Sequence, residues 1–149
     1  NRLRDEGDRL SWRWNAGAAT PLADFGAPDV FTDYVLCVYD ADATPFVQPK
    51  MMEAVPAGRF PWNRLFTSFL YAEPSGIPNG IKSVRLRAGP DGRASIAAAG
   101  RGFLLGMPAF PLTPPVRVQL QSAFGGRCFE AVYSTPTRND GEHFTARAD

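Results

Sequence analysis

The stretch KSVRLRAGPDGRASIAAA, residues 82–99, decides the fold. Val84 and Leu86 alternate with two arginines, which is the two-residue period of a half-buried strand. In the GPDG that follows, residues 89–92, the proline fixes φ and the glycine accepts a positive φ, so a turn is expected. A second apolar run comes directly after this turn. The sequence therefore predicts a β-hairpin over residues 82–99.

The two-residue period recurs on both sides of this hairpin. RLSWRWN near the start and VRVQLQS from residue 116 alternate in the same way, and a glycine turn joins VRVQLQS to RCFEAVY. TDYVLCVYD, residues 32–40, is apolar on both faces and predicts a central strand, and MMEAV predicts a weaker one. Since no stretch of helical length carries a 3.6-residue period, we predict an all-β fold. The expected architecture is a two-layer antiparallel β-sandwich of seven to eight strands, Ig-like or jelly-roll-like.

The length and composition fit one domain with a core of ordinary size. The chain has 149 residues, of which 44% are hydrophobic and 12% aromatic. We predict a flexible, charged N-terminal tail over residues 1–7 and a single β-sandwich domain over residues 8–149. The predicted core consists of Trp12, Trp14, Leu36, Val38, Val84, Leu86, Ile96, Val118, Leu120, Phe129 and Val132.

Charge and hydropathy argue against two classes of partner. Sixteen basic and fifteen acidic residues give a net charge of +1, and no long run of like charge is present. We therefore expect no nucleic-acid partner. The longest uncharged run, residues 102–116, is too short for a bilayer and contains four prolines, so we expect no transmembrane segment.

The two cysteines, Cys37 and Cys128, both lie in the middle of predicted strands. Their even number and matching contexts favour a disulfide, although two buried free thiols remain the alternative. A disulfide would imply an oxidising compartment.

Five blocks of sequence carry a resemblance that covers nearly the whole chain. LSWRWNAG, LADFGAPDVFTDYVLCVYD, RLRAGPDGRASIAAAGRG, PLTPPVRVQLQS and RCFEAVYS together resemble an uncharacterised module of secreted and surface proteins from deltaproteobacteria and similar environmental bacteria. The resemblance implies an extracellular or periplasmic domain and no known activity. It also implies a Cys37–Cys128 bridge, because these residues match the outer cysteine pair of the module. The second, local pair of the module is absent here, since PAGRFPW contains no cysteine.

The stretch RFPWNRLFTSFLY, residues 59–71, is more apolar than the resemblance implies. Phe60, Leu65 and Phe66 fall off the two-residue register, so they are hard to bury and predict a contact surface. Three other large residues suit strand positions in the core: Trp62, Phe69 and Tyr71. The candidate partner-binding residues are Arg59, Phe60, Trp62, Arg64, Leu65, Phe66 and Leu70, with Met51, Met52 and the loop over residues 103–107 as further members.

Catalytic and metal-binding groups are sparse. His143 is the one histidine, and no nucleophile motif accompanies it, so a serine or cysteine triad and a zinc site are not expected. Acidic residues after strands are usually turn formers. Calcium near Asp40 and Asp42, or near Asp140 and Glu142, is the one ion that the pattern leaves open. We expect no enzymatic activity and no cofactor.

Two functions remain at this point. The first is a non-catalytic extracytoplasmic structural or interaction domain, an accessory subunit that docks onto a larger protein assembly, with other subunits as partners and a membrane-adjacent contact as a further option. The alternative is a carbohydrate or surface-polymer binding module that uses exposed aromatic side chains such as Trp62 and Tyr71 as a stacking platform.

Overall fold

The computed structural model of the chain describes residues 6–15, 18–42, 48–123 and 126–149, so residues 1–5 of the predicted tail lie outside the described residues. Eleven β-strands and one short 3-10 helix, Leu22–Phe25, form within these ranges. The strands are β1 (Arg9–Asn15), β2 (Tyr34–Tyr39), β3 (Met51–Val55), β4 (Trp62–Arg64), β5 (Ser68–Ala72), β6 (Ile81–Arg87), β7 (Ser95–Arg101), β8 (Val116–Ser122), β9 (Cys128–Tyr133), β10 (Pro136–Asn139) and β11 (Phe144–Ala146).

The strands form two main antiparallel sheets and a separate hairpin. A five-stranded sheet has the order β1-β7-β6-β5-β4, a four-stranded sheet has the order β3-β2-β8-β9, and β10 pairs with β11. Alternate residues of the two larger sheets meet in one hydrophobic cluster, as expected for stacked sheets. The predicted all-β antiparallel sandwich is confirmed. The strand count is higher than predicted because β4, β10 and β11 have only three or four residues, too few to show a period.

The hairpin that predicted the fold is present. β6 and β7 pair from Ser83 opposite Ala99 to Arg87 opposite Ser95. Gly92 lies in the turn between them and has a φ of 72°, the positive φ that was predicted for this position. The second predicted hairpin, between β8 and β9, is also present.

Aromatic side chains join the two sheets at both sides of the sandwich. On one side the ring of Trp14 on β1 meets the ring of Phe129 on β9 edge-to-face, with centroids 5.1 Å apart. On the other side Trp62 on β4 packs near Tyr34 on β2, with centroids 6.4 Å apart. The Tyr34 hydroxyl donates a 2.6 Å hydrogen bond to the carbonyl oxygen of Phe25, and burial raises the pKa of Tyr34 well above its usual range. Each side of the sandwich is therefore closed by ring packing.

All but two of the predicted core residues are buried. Trp14 is half-buried and packs against the core from its edge. The prediction for Val132 is wrong, because Phe129, Ala131 and Tyr133 are the buried members of β9 and the alternation turns Val132 to the outer face.

The connection between β7 and β8 packs against both sheets. Leu105 belongs to the core, and a Cβ on Gly80 would lie 2.6 Å from the Leu105 backbone nitrogen, so residue 80 must be glycine. The Gly106 N–H donates a 2.7 Å hydrogen bond to Oε1 of Glu53, which is buried on β3. Burial raises the pKa of Glu53, and the bond from Gly106 partly opposes this effect.

Candidate functional site

The aromatic stretch of residues 59–71 divides between core and surface. Trp62 is only 1% exposed, and its indole N–H donates a 2.9 Å hydrogen bond to the carbonyl oxygen of Pro56. Phe60 is 93% exposed and Phe66 is 98% exposed, so neither ring packs on the domain. Leu65 is also exposed. The stretch therefore supplies buried side chains to the core and two protruding aromatic residues, one before β4 and one after it.

The pairing register explains this division. Trp62 lies opposite Tyr71 and Arg64 lies opposite Phe69, so Trp62, Phe69 and Tyr71 share the inner face of the sheet. Phe60 precedes β4, and Phe66 lies in the turn between β4 and β5. Neither position belongs to a paired strand, which is why both side chains escape burial.

Two of the predicted contact residues are not free surface groups. The interpretation of Trp62 as a partner-binding residue is wrong, because its ring is part of the core. Leu70 is half-buried on the outer face of the five-stranded sheet. The arginines remain candidates: Arg59 is exposed, and the Arg64 guanidinium lies 5.7 Å from the ring centroid of Phe69, where it stays exposed at the edge of the domain.

A second loop adds apolar residues that the sequence analysis missed. The Gly58 N–H donates a 2.9 Å hydrogen bond to the carbonyl oxygen of Pro28, and the Ala57 N–H donates a 2.7 Å bond to Asp33. These bonds fix the loop before Phe60 against residues 27–33. Two large residues of that loop are also exposed: Val30 and Phe31. The available signal was an apolar pair between turn-forming residues, in PDVFTD.

We call the exposed apolar residues on these two loops and on the β4–β5 turn the docking surface; its members are Val30, Phe31, Phe60, Leu65 and Phe66. Phe60 and Phe66 are six residues apart, so they lie at most about 20 Å from each other. An ordinary protein interface covers about 800 Å² on each partner, a patch about 30 Å across. The separation of the two rings is therefore within the span of one ordinary interface.

The other apolar residues predicted for this surface lie elsewhere. Met51 and Leu105 are buried in the core. Met52 is exposed on β3, in the four-stranded sheet, where it lies opposite Cys37. Phe103 is exposed on the connection between β7 and β8. None of these four belongs to the docking surface.

The predicted Cys37–Cys128 disulfide is wrong, and both cysteines are free. Cys37 on β2 lies opposite Gln119 on β8, and Cys128 on β9 lies opposite Gln121 on the same strand β8. Because β8 separates the two strands, the cysteines are two strand spacings apart across the sheet and offset by two residues along it, roughly 12 Å in all. A disulfide needs Cα atoms about 4.4–6.8 Å apart. Cys37 is buried and Cys128 is exposed, and desolvation raises the thiol pKa of both.

The carboxylates considered for calcium serve the local fold. Asp40 accepts hydrogen bonds from the backbone N–H groups of Thr113 and Asp42, and it lies 3.7 Å from the Lys50 ammonium. Asp42 accepts a 2.7 Å bond from the Thr113 hydroxyl. These bonds fasten the end of β2 to the loop before β8. In the described part of the chain, no three histidine, cysteine or acidic residues lie close enough together to hold a metal ion.

The second acidic pair and the histidine lie in the turn between β10 and β11. Asp140 accepts bonds from the backbone N–H groups of Glu142 and His143 and from the side chain of Arg138, and these contacts hold its pKa well below the usual range. The Nδ1 atom of His143 lies 3.3 Å from Asp140. This cluster stabilises a hairpin turn, and its geometry is accounted for by turn formation.

A cleft of about 860 Å³ lies between β1, the β10–β11 hairpin and the connection to β8. Its floor is apolar and includes Leu10, Val38 and Phe110, and its rim includes Arg13 and Arg147. The volume suits a small molecule. The polar groups of the rim belong to exposed side chains and give no fixed constellation for chemistry.

Fold and surface together define an all-β sandwich domain with protruding apolar loops. No protein-family model, no curated protein and no solved structure matches this chain. The described residues include no helix long and apolar enough to cross a membrane.

Proposed function

We propose that this protein is a non-catalytic extracytoplasmic interaction domain that docks onto a larger protein assembly through the docking surface. The observation that carries the proposal is the exposure of Phe60 and Phe66, 93% and 98%, on either side of β4, whose Trp62 is buried in the core. Leaving each such ring in water forgoes about 1.5–3 kcal/mol relative to burial. A partner protein that covers both rings would recover this free energy.

The loops that carry these rings are held in place, so the exposure is a stable property of the fold. The bonds from Gly58 to Pro28 and from Ala57 to Asp33 fix the loop before Phe60. In the β4–β5 turn the Leu65 N–H donates a 2.8 Å bond to the Ser68 carbonyl oxygen. A surface that is fixed before binding loses little conformational entropy when a partner arrives.

The charged neighbours also suit a protein partner. Arg59 and Arg64 flank the protruding rings, and arginine is enriched at protein interfaces, where it pairs with carboxylates through two hydrogen bonds. The expected partner therefore offers an apolar pocket bordered by acidic side chains.

The alternative, a carbohydrate-binding module with an aromatic platform, loses the rings on which it was based. Trp62 and Tyr71 are each 1% exposed and cannot stack on a sugar. Phe60 and Phe66 lack the polar handle of tryptophan or tyrosine. These side chains therefore favour protein docking over carbohydrate binding.

The compartment is part of the proposal and rests on the resemblance to secreted and surface modules alone. Because both cysteines are free, a disulfide no longer provides an independent argument for an oxidising compartment. An extracellular or periplasmic location remains our expectation, and cell fractionation of the source organism tests it directly.

The docking function is tested with the triple variant Phe60→Ser/Leu65→Ser/Phe66→Ser. The matched control is Ile77→Ser/Phe103→Ser, which removes exposed apolar side chains outside the docking surface. Each protein, expressed at native abundance in the source organism, is cross-linked and copurified. We expect one stoichiometric protein partner with the parent and the control and none with the triple variant, whose melting temperature stays unchanged. Equal partner recovery with all three proteins, or unfolding of the triple variant, contradicts the proposal.

A further inference from the structure

The outer face of the five-stranded sheet is basic. The strand register puts five exposed arginines on this face, contributed by three neighbouring strands: Arg9, Arg13, Arg85, Arg87 and Arg101. The remaining outward positions of these strands are serine, alanine or asparagine. Within the described residues, none of the five arginines forms a salt bridge with an acidic side chain. We call this surface the basic face.

Four of the five arginines lie in two rows across the strands, and Arg87 lies in a further row, opposite Ser95. Arg9 and Arg101 are direct neighbours in one row. Arg13 and Arg85 lie in the other row on either side of Ala97, two strand spacings or roughly 10 Å apart. Four residues along β1 separate the rows, a distance of about 13 Å. The guanidinium groups therefore border both sides of a strip of sheet surface wide enough for one extended polymer chain.

Between the two rows the side chains are short and partly hydroxylated. Ser11, Ala99 and Ser83 lie side by side across β1, β7 and β6. Serine hydroxyls both donate and accept hydrogen bonds, which suits a ligand that carries hydroxyl groups. Asp8 and Asp91 are acids close in sequence to these arginines; they lie before β1 and in the turn between β6 and β7, at the margin of the face. The centre of the face therefore combines positive charge with hydroxyl groups.

We propose that the basic face binds an acidic polysaccharide, through arginine pairing with its carboxylates and serine contacts with its hydroxyl groups. Arginine is suited to this task because its planar fork matches a carboxylate with two hydrogen bonds. The proposal is independent of the docking surface, because the two surfaces share no residue. In this proposal the polymer is recognised through charge, whereas the earlier carbohydrate alternative relied on stacking against aromatic rings.

Other polyanions fit the basic face less well. Proteins that bind single-stranded nucleic acid stack the bases on aromatic side chains, and the outward positions of β1, β6 and β7 include none. Proteins that read a duplex insert a helix or a two-stranded ribbon into a groove, whereas this face is the surface of a five-stranded sheet. A membrane surface is expected to take up exposed apolar side chains as well as charge. The outward positions of these three strands carry only alanine as an apolar residue, and the one larger apolar neighbour, Leu70 on β5 beside Arg85, is half-buried.

The test measures binding of the purified domain to polygalacturonate by isothermal titration calorimetry at two salt concentrations. Arg13→Gln/Arg85→Gln removes two charges from the basic face. The matched control, Arg59→Gln/Arg117→Gln, removes two exposed charges from other surfaces, so both variants have the same net charge. We expect about tenfold weaker binding for the first variant, a change of about 1.4 kcal/mol, and less than about twofold for the control. Binding of the parent should weaken as salt rises.

Three further probes separate the classes of ligand: neutral dextran, a thirty-nucleotide oligo-dT and vesicles that contain phosphatidylglycerol. Tighter binding of the oligonucleotide or the vesicles than of polygalacturonate overturns the proposal, as does equal weakening by both pairs of substitutions or the absence of binding by the parent. The triple docking variant should bind polygalacturonate as the parent does. If this variant loses its protein partners and still binds the polysaccharide, the result supports two independent binding surfaces.

Discussion

Replacing Trp62 by alanine is expected to lower the free energy of unfolding by about 3–5 kcal/mol, the range for a buried large aromatic residue. The ring is 1% exposed and meets the Tyr71 ring at 65°, with centroids 5.3 Å apart. Its N–H also bonds the Pro56 carbonyl oxygen at 2.9 Å. Trp62→Phe keeps most of the apolar contact but loses this bond and part of the buried ring volume, so it should cost about 1–3 kcal/mol.

Phe60→Ala is the matched control for these variants, because Phe60 lies two residues earlier and is 93% exposed. It should change the free energy of unfolding by no more than about 0.5 kcal/mol. Urea unfolding followed by far-UV circular dichroism is the suitable assay, since replacing Trp62 removes a fluorophore. A loss below about 1 kcal/mol for Trp62→Ala, or an equal loss for Phe60→Ala, would refute the division of this stretch into core and surface.

Two further predictions concern a thiol pair and a buried acid. Alkylation without reductant should modify Cys128 quickly and Cys37 only after unfolding, because one thiol is exposed and the other buried; a mass-spectrometric peptide that links the two would contradict the register. Burial raises the pKa of Glu53, so the folded state holds this proton more tightly than the unfolded state. The resulting stability is fully present below the unfolded pKa, about 4.3, and is lost as pH rises through the raised folded pKa. Glu53→Gln should therefore be more stable than the parent at neutral pH in urea unfolding, with the difference vanishing in acid; a pH-independent difference would contradict this linkage.

The hairpin over residues 82–99 was predictable because two signals agree there. The strand period is two on both sides, and the turn carries proline and glycine where the backbone needs them. β4 was not predictable in the same way, because its three residues are too few to show a period. These residues are held in a strand by their pairing with β5. The exposure of Phe60 and Phe66 followed from their position off the register, whereas Val30 and Phe31 lie in a loop whose placement depends on distant bonds.

The disulfide prediction failed for a reason that local sequence cannot reveal. Cys37 and Cys128 both lie within strands, as predicted, but a bridge depends on which strands are neighbours. β8 lies between β2 and β9, and strand order is a property of the whole chain. The basic face was hidden for the same reason, because its arginines come from separate parts of the sequence and meet only when β1 pairs with β7.

The pairing of β1 with β7 also has a consequence for synthesis on the ribosome. Asn15 pairs with Ser95, so β1 leaves the ribosome about eighty residues before its partner strand. At roughly 5–20 residues per second, the nascent β1 waits about 4–16 s before the five-stranded sheet can close. Hairpins such as β2–β3 and β4–β5 are complete well before then, because their strands adjoin in the sequence. The half-made chain therefore exposes the apolar side of β1, with Trp12 and Trp14, and is the form of this protein most in need of a chaperone.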